Sequence, residues 1–191
     1  MRVALVRPLV GTAVTPNHLT TVRLATGLAA AVCLAAGKAP WWDIGAGLFV
    51  LSVLFDRADG DLARLTGKSS PWGHAYDLVS DGVCNSLVFV GLGVGLMNNG
   101  FGPWAAPLGV LAGAAVAIIL WLVISMESIG GQRAAELKSV SGFDYDDAIL
   151  MVPAAIWFGW QEELLMAAAA ITPLVTLLFV WMYFKKKRET L

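Results

Sequence analysis

Charged residues are scarce in this sequence. Of its 191 residues, 14% are Asp, Glu, Lys or Arg and 58% are hydrophobic, whereas a soluble domain of this size carries about 25% charged residues. The mean hydropathy of +0.71 is correspondingly high. These values exclude an ordinary soluble domain, and they predict a single all-α domain, residues 1–191, that is integral to a membrane.

Cysteine and histidine are also rare. Cys33 and Cys84 lie in apolar runs, where we expect small buried side chains and neither a disulfide nor a metal site. His18 and His74 each stand alone among apolar or small neighbours, and structural or interfacial roles are expected for both. The chain therefore lacks the clustered Cys and His ligands that zinc favours.

Long apolar runs fill most of the chain, and they predict six transmembrane helices because a span needs roughly 20 apolar residues. Residues 1–16 are interrupted by proline and glycine, and they are expected to form a short interfacial segment. Thr15 or Asn17 is a candidate N-cap for the first span, with Pro16 in its first turn. The predicted spans cover about residues 19–37, 42–65, 73–97, 104–127, 146–160 and 164–184.

Basic residues are distributed unevenly around these spans. Of 13 Lys and Arg residues, 12 fall on the side that would hold both termini, and only Lys38 falls on the other. Since basic residues favour the cytoplasmic side, both termini are predicted to be cytoplasmic in a multi-pass protein of a bacterial inner membrane. The basic run at 185–188 is interpreted as a topology anchor that contacts anionic lipid, not nucleic acid.

Two pairs of glycines have the spacing of helix-packing faces. Gly91 and Gly95 are separated by three residues, as are Gly109 and Gly113. Small residues at this spacing let membrane helices approach closely. Either pair is a candidate face for a homodimer, which we expect.

Acidic residues gather in one stretch, DRADGDLARLTGKSSPWGHAYDLVSD, at positions 56–81. Asp56 and Asp59 are three residues apart, and Asp77 and Asp81 are four apart, so on helices each pair shares a face. Four carboxylates at the ends of two neighbouring helices form a hard, oxygen-rich site that suits Mg²⁺ or Mn²⁺. An ionised Asp in a membrane helix costs at least about 2.5–3.5 kcal/mol, which predicts a functional site at the cytoplasmic face.

Small and basic residues accompany these acids. Gly60 follows Asp59 directly, and Gly73 precedes Asp77 by one turn, so a ligand could approach either backbone closely. Tight helix packing would equally explain both glycines. Arg64 suits a phosphate oxygen, although it could also reach toward lipid headgroups. Together these features indicate a diphosphate bridged by divalent metal, with two ions stabilising a transferring phosphoryl group.

The stretch reads Asp56-x2-Asp59-Gly60-x2-Ala63-Arg64-x8-Gly73-x3-Asp77-x3-Asp81. This pattern resembles the signature of the CDP-alcohol phosphotransferase family, class I membrane enzymes of phospholipid synthesis, at all eight fixed positions. Thr15-Pro16-Asn17 is similar to the start of that family's first helix. The resemblance covers the whole chain in architecture, with specific motifs at about 15–20 and 56–81.

The resemblance implies a role for each matched residue. Asp56, Asp59, Asp77 and Asp81 would bind metal, with Asp77 and Asp81 catalytic and Asp81 the general base. The residues expected to line the CDP-linked donor are Asn17, Gly60, Ala63, Arg64 and Gly73. The reaction implied is attack by an alcohol oxygen on the phosphorus next to the lipid or alcohol, with release of CMP.

The acceptor is less well defined by the sequence. Membrane members of the family use CDP-diacylglycerol with a water-soluble alcohol, while others use a soluble CDP-alcohol with a lipid acceptor, and both remain open. The candidate acceptor-binding residues are Glu127, Arg133, Lys138, Asp146 and Asp147. Acids outnumber bases in this region, which leans toward a neutral polyol, an amine-bearing alcohol or a zwitterion. Acids at 146–147 would also suit a helix N-terminus.

A divalent-cation transporter is the alternative from another functional class. A transporter is expected to place acids near the middle of the membrane and to contain an internal repeat. Here the acids lie at one predicted face, and no repeat is evident. The enzyme is therefore the favoured interpretation.

Overall fold

A computed structural model of the chain describes residues 6–130 and 145–189. These ranges contain no β-strand and six α-helices, which confirms the predicted number and order of helices. A 3₁₀ turn, Arg7–Leu9, lies in the predicted interfacial segment before the first helix. The helices are α1 (Pro16–Ala35), α2 (Trp41–Thr66), α3 (Pro71–Asn98), α4 (Ala105–Gly130), α5 (Tyr145–Trp157) and α6 (Gln161–Glu189).

Four helices in the described ranges are long and apolar enough to cross a membrane: α1, α3, α4 and α6. The other two predicted spans do not meet this description. α2 carries several charges toward its C-terminal end, and α5 has 13 residues and contains Pro153, whereas a span needs roughly 20 residues. Length and composition thus support four of the six predicted spans.

Local sequence signals fix the ends of the first three helices. The backbone N–H of Thr15 donates to His18 Nδ1 at 3.3 Å at the start of α1, so His18 has the structural role expected of it. α2 is followed by Gly67 at a φ of 64°, a left-handed conformation that favours glycine. Ser70 caps α3 by accepting a hydrogen bond from the Gly73 N–H at 3.0 Å.

Helix α1 packs against both α2 and α3. One core joins these helices through the buried side chains of Leu34, Phe49 and Val88. Near the other end of α1, Val6 of the N-terminal segment packs against Leu19 and Leu62. Two helices that carry acids therefore share one central neighbour, and this arrangement builds the site.

Both predicted small-residue faces pack within the chain. A methyl group at Gly91 or Gly95 would collide with the backbone carbonyl of Ala31 or Leu34 on α1. The second pair faces α3 instead: a methyl group at Gly109 would lie 3.0 Å from Gly93 Cα, and one at Gly113 would lie 2.6 Å from Ser86 O. Neither pair is available as a dimer face, because each already packs against another helix of the same chain. The homodimer itself stays a prediction.

Candidate active site

Three of the four predicted acids meet between α2 and α3, which both pack against α1. Asp56, Asp59 and Asp77 each offer a carboxylate oxygen, and these oxygens lie within 4.8 Å of one another. Asp59 is buried, with an exposed fraction of 4%, and the other two side chains are about one-third exposed. The spacings read from the sequence thus bring acids from two helices together, as predicted.

Asp81 lies one turn beyond Asp77 on α3, outside this group of three, so its predicted role as a fourth metal ligand stays a prediction. Its Oδ1 accepts a hydrogen bond from Asn85 Nδ2 at 2.6 Å. The same oxygen pairs with the guanidinium of Arg23 on α1. Asp81 is therefore held by two donors on one oxygen, in contact with the acid cluster through Arg23.

Arg23 is the cation at the centre of the acids. Its side chain is 3% exposed, and its Nη1 lies 2.8 Å from Asp56 Oδ1 and 3.1 Å from Asp77 Oδ1. Its Nη2 pairs with Asp81. One guanidinium thus contacts three of the four acids, which the sequence did not predict.

The fourth acid, Asp59, has a separate partner on α1. The hydroxyl of Thr20 donates to Asp59 Oδ2 at 2.7 Å, and both groups are buried. Thr20 and Arg23 are three residues apart, so they share a face of α1 with Gly27. Gly27 lies so close to Cys84 and Ser52 that a side chain there would displace both. This close approach positions the polar face of α1 against the acids of α2 and α3.

A cavity of about 620 Å³ opens beside the acids, within the roughly 300–1,000 Å³ range of ligand pockets. Asp59 and Asp77 line it. All five residues predicted to line the donor also line this cavity: Asn17, Gly60, Ala63, Arg64 and Gly73. Their role in binding stays a prediction, and the fold places them together around one cavity.

Further residues in the cavity wall were not assigned to the donor from the sequence. Lys68 adds a positive charge and His74 an imidazole to the cavity wall that also contains Arg64. The Arg64 side chain is 75% exposed and contacts Asp61 through a 2.6 Å ion pair. Exposed ion pairs of this kind are weak, typically about 0–1 kcal/mol, so Arg64 can reorient toward an anionic ligand.

The acid cluster fits a divalent metal. It offers carboxylate oxygens only, the donor set that Mg²⁺ and Mn²⁺ prefer. Arg23 pairs with three of the four acids, and its single charge does not balance four ionised carboxylates, which would leave the cluster anionic. Cations bound at the three clustered acids would offset that charge.

The predicted acceptor-binding residues cannot be placed in the same way. Arg133 and Lys138 lie outside the described residues. Glu127 falls in the last turn of α4, while Asp146 and Asp147 fall in the first turn of α5. The side chains of these three acids are also outside the described part of the chain, so all five assignments stay predictions.

Arg23 had a signal in the sequence that could have identified it. It lies well inside the first apolar run, eight residues after Thr15, and an ionisable residue within a span is by default a candidate for function. Arg23 is instead one of the 12 basic residues on the predicted cytoplasmic side. Its side chain is buried and paired with acids, so it is not a free surface charge; the excess of basic residues on one predicted side persists without it.

The chain is similar to known proteins over most of its length. The family profile of the CDP-alcohol phosphatidyltransferases matches residues 13–181. A CDP-diacylglycerol–glycerol-3-phosphate 3-phosphatidyltransferase of Cereibacter sphaeroides is 29% identical over 147 residues, which cover 75% of this chain and 62% of the relative. A phosphatidylinositol phosphate synthase of Corynebacterium glutamicum is 28% identical over 141 residues, covering 73% and 58%.

The chain thus spans about three-fifths of the length of these two curated relatives. The matched profile covers both the face of α1 that carries Thr20 and Arg23 and the acids of α2 and α3. It also runs through most of α6, so the similarity extends over nearly the whole fold. The chain belongs to the CDP-alcohol phosphatidyltransferase family.

Proposed function

We propose that the protein transfers a phosphatidyl group from CDP-diacylglycerol to the hydroxyl of a small polar alcohol and releases CMP. The observation that carries this proposal is the cluster of Asp56, Asp59 and Asp77 at the edge of a cavity lined by all five expected donor residues. One relative is named a CDP-diacylglycerol–glycerol-3-phosphate 3-phosphatidyltransferase, which supports a lipid donor.

The cavity residues have distinct roles in holding the donor. Gly60 carries no side chain on α2, and only the flexible Arg64 guanidinium lies within 4 Å of the position that a methyl group would take, so the diphosphate can approach the helix backbone. Arg64 and Lys68 provide cations for phosphate oxygens at the same wall. Asn17 reaches the cavity from the first turn of α1 and offers an amide to the nucleotide.

Asp56, Asp59 and Asp77 would hold one or two Mg²⁺ or Mn²⁺ ions. Bound there, the metal would supply positive charge to the diphosphate and to the leaving CMP phosphate. Thr20 keeps the carboxylate of Asp59 in place through its buried hydrogen bond. With metal bound, the cluster would hold positive charge at the position where negative charge develops, which is the main requirement of phosphoryl transfer.

Asp81 is the proposed general base. The acceptor oxygen forms a bond to the phosphorus that carries the diacylglycerol, the bond from that phosphorus to CMP breaks, and the acceptor proton passes to Asp81. Asn85 and Arg23 both engage Oδ1, which leaves Oδ2 as the oxygen that takes the proton. Asp81 does not line the donor cavity, so the acceptor would approach from another side.

We also propose that all six helices lie in the membrane with the acid cluster at the cytoplasmic face. Exposed tryptophans support two interfaces: Trp41, Trp104 and Trp160 near the helix ends remote from the acids, and Trp72 at the end beside them. The basic end of α6, Lys185–Arg188, lies at the same predicted face as Trp72. The charges of α2 would then sit where cytoplasmic substrates can reach them.

Release of CMP by the purified protein in detergent with Mg²⁺ tests this function. CDP-diacylglycerol is offered with glycerol 3-phosphate, inositol phosphate, inositol or serine, and soluble CDP-alcohols are offered separately with diacylglycerol. Release with one acceptor of the first set is expected. Release in the second set alone would reverse which substrate is the lipid, and no release in either set would contradict the proposal.

The two glycines of the motif are expected to respond differently to alanine. A methyl group at Gly60 would meet only the flexible Arg64 guanidinium, at 3.7 Å, whereas one at Gly73 would lie 2.9 Å from Asn17 Oδ1 and 3.1 Å from Ser70 Oγ. Gly60→Ala should therefore preserve the melting midpoint and raise the KM for the donor by roughly tenfold, since the methyl group occupies ligand space. Gly73→Ala should raise KM and also lower the melting midpoint.

Initial-rate measurements over a range of donor concentrations, together with thermal unfolding, check this difference. Gly47→Ala is the matched control, because Gly47 lies on α2 with nothing within 4 Å of an added methyl group. An unchanged KM in Gly60→Ala would show that the donor does not approach α2 at this point.

A further inference from the structure

The contacts of Arg23 go beyond what the proposed chemistry requires of it. Its guanidinium engages the same oxygen, Oδ1, of Asp56, Asp77 and Asp81. Nη1 also lies 3.4 Å from the backbone carbonyl of Asp77. The side chain is almost fully buried, so water contributes little to balancing these charges.

Arg23 lies behind the acids as seen from the donor cavity. Asp59 and Asp77 line that cavity, whereas Arg23, Asp56 and Asp81 do not. A role in binding the donor phosphates is therefore disfavoured, because Arg64 and Lys68 occupy the cavity wall and Arg23 does not. The partners that the structure gives the Arg23 guanidinium are acids and one backbone carbonyl.

The backbone around Arg23 is held in place by its neighbours. Ser52 of α2 donates to the Arg23 carbonyl oxygen at 3.0 Å, which ties α1 to the helix that carries Asp56. By contrast, the Arg23 Nε is buried without a hydrogen-bond partner among the described residues. The guanidinium is thus placed where Nη1 and Nη2 contact three acids, while Nε makes no hydrogen bond among the described residues.

An arginine in this position affects the metal-free and metal-bound proteins oppositely. Without metal, four neighbouring acids repel one another, and a permanently charged guanidinium offsets part of that repulsion. With metal bound, the same charge opposes the cation, since like charges a few ångströms apart repel strongly in a buried site. A group that stabilises the metal-free state more than the metal-bound state lowers metal affinity by linkage.

We propose that Arg23 is a positioning residue that acts as the counter-cation of the metal-free acid cluster and thereby weakens and sets the affinity of the site for divalent metal. It holds Asp56, Asp77 and Asp81 in their places before metal arrives. The inference rests on the proposed function only in requiring that a divalent ion binds at these acids.

The test uses the full chain, purified in detergent with Mn²⁺ throughout and then stripped with a chelator. Arg23→Met removes the charge and keeps much of the side-chain volume, and Arg23→Lys keeps the charge without the planar fork. Lys38→Met is the control, because Lys38 is exposed and lies just beyond the opposite end of α1. Melting midpoints are measured with and without Mn²⁺, and Mn²⁺ binding is titrated by electron paramagnetic resonance.

We expect Arg23→Met to lower the metal-free melting midpoint by about 6 °C or more, with most of that loss recovered in saturating Mn²⁺. Its Mn²⁺ dissociation constant should fall roughly tenfold, since one opposing charge is removed. Arg23→Lys should fall between Arg23→Met and the wild-type protein in both measurements, and Lys38→Met should match the wild type.

Several results would overturn the inference. Equal destabilisation with and without Mn²⁺, or an Arg23→Met protein that does not fold even in Mn²⁺, would show an ordinary structural role. Unchanged or weaker Mn²⁺ binding in Arg23→Met would show that Arg23 does not oppose the metal. A wild-type protein that binds no Mn²⁺ would instead contradict the metal site of the proposed function, so the two failures are distinguishable.

Discussion

Replacing Asp59 with asparagine is expected to reduce CMP release by roughly 10³-fold or more, about 4 kcal/mol of transition-state stabilisation. Asp59 is the most buried of the clustered acids, and it also lines the donor cavity. An amide cannot supply the negative charge that a divalent ion requires. Because it can still accept the Thr20 hydrogen bond, the local packing should survive.

The stability of Asp59→Asn should separate this effect from unfolding. Removing one of four neighbouring negative charges reduces their repulsion, so the metal-free melting midpoint should stay the same or rise. Mn²⁺ binding should weaken in parallel with activity. Asp43→Asn is the matched control, since Asp43 is an exposed acid in the first turn of the same helix. Activity of Asp59→Asn close to that of Asp43→Asn would contradict the proposed role of the cluster.

The acid cluster was predictable because its geometry is mostly local. The separation of Asp56 from Asp59 fixes a shared face on α2, and that of Asp77 from Asp81 does the same on α3. A short loop joins the two helices, so their acid-bearing ends must be neighbours. Helical periodicity and a short connection were enough to bring three of the four carboxylates together.

The partners of the acids were not predictable in the same way. Thr20 and Arg23 lie 39 and 54 residues from Asp59 and Asp77 in the sequence, and no local pattern fixes how α1 is rotated against α2 and α3. That rotation depends on close packing at Gly27 and along the Gly91–Gly95 face. Asn85 is four residues after Asp81, so helical spacing alone could have identified it.

The two glycine pairs also show what spacing in the sequence does not predict. Their spacing correctly indicates faces where helices approach closely, but spacing does not say whether the neighbour belongs to the same chain. In the structure, α1 lies against Gly91 and Gly95, and α3 lies against Gly109 and Gly113. Both faces contribute to the fold that places α1 beside the acids, which connects their packing to the site.

Gly95→Ala is expected to lower the melting midpoint substantially. The added methyl group would collide with the backbone carbonyl of Leu34 and lie 3.1 Å from Gly37 Cα. Backbone atoms cannot move aside as a flexible side chain can, so α1 and α3 must separate. Overpacking of this kind costs typically about 1–3 kcal/mol, which corresponds to a shift of roughly 3–10 °C for a chain of this size.

Thermal unfolding of Gly95→Ala and Gly47→Ala in the same detergent provides the comparison. Gly47 also lies within a helix, but an added methyl group meets open space, so its substitution should leave the midpoint unchanged or raise it.

Size-exclusion chromatography then separates the two interpretations of the Gly91–Gly95 face. If the face packs within the chain, Gly95→Ala loses stability at every protein concentration without a change of oligomeric state; dissociation of an oligomer with little loss of stability would instead place a second chain against α3. Because α1 carries Thr20 and Arg23, its displacement should also weaken Mn²⁺ binding, a loss that Gly47→Ala should not share.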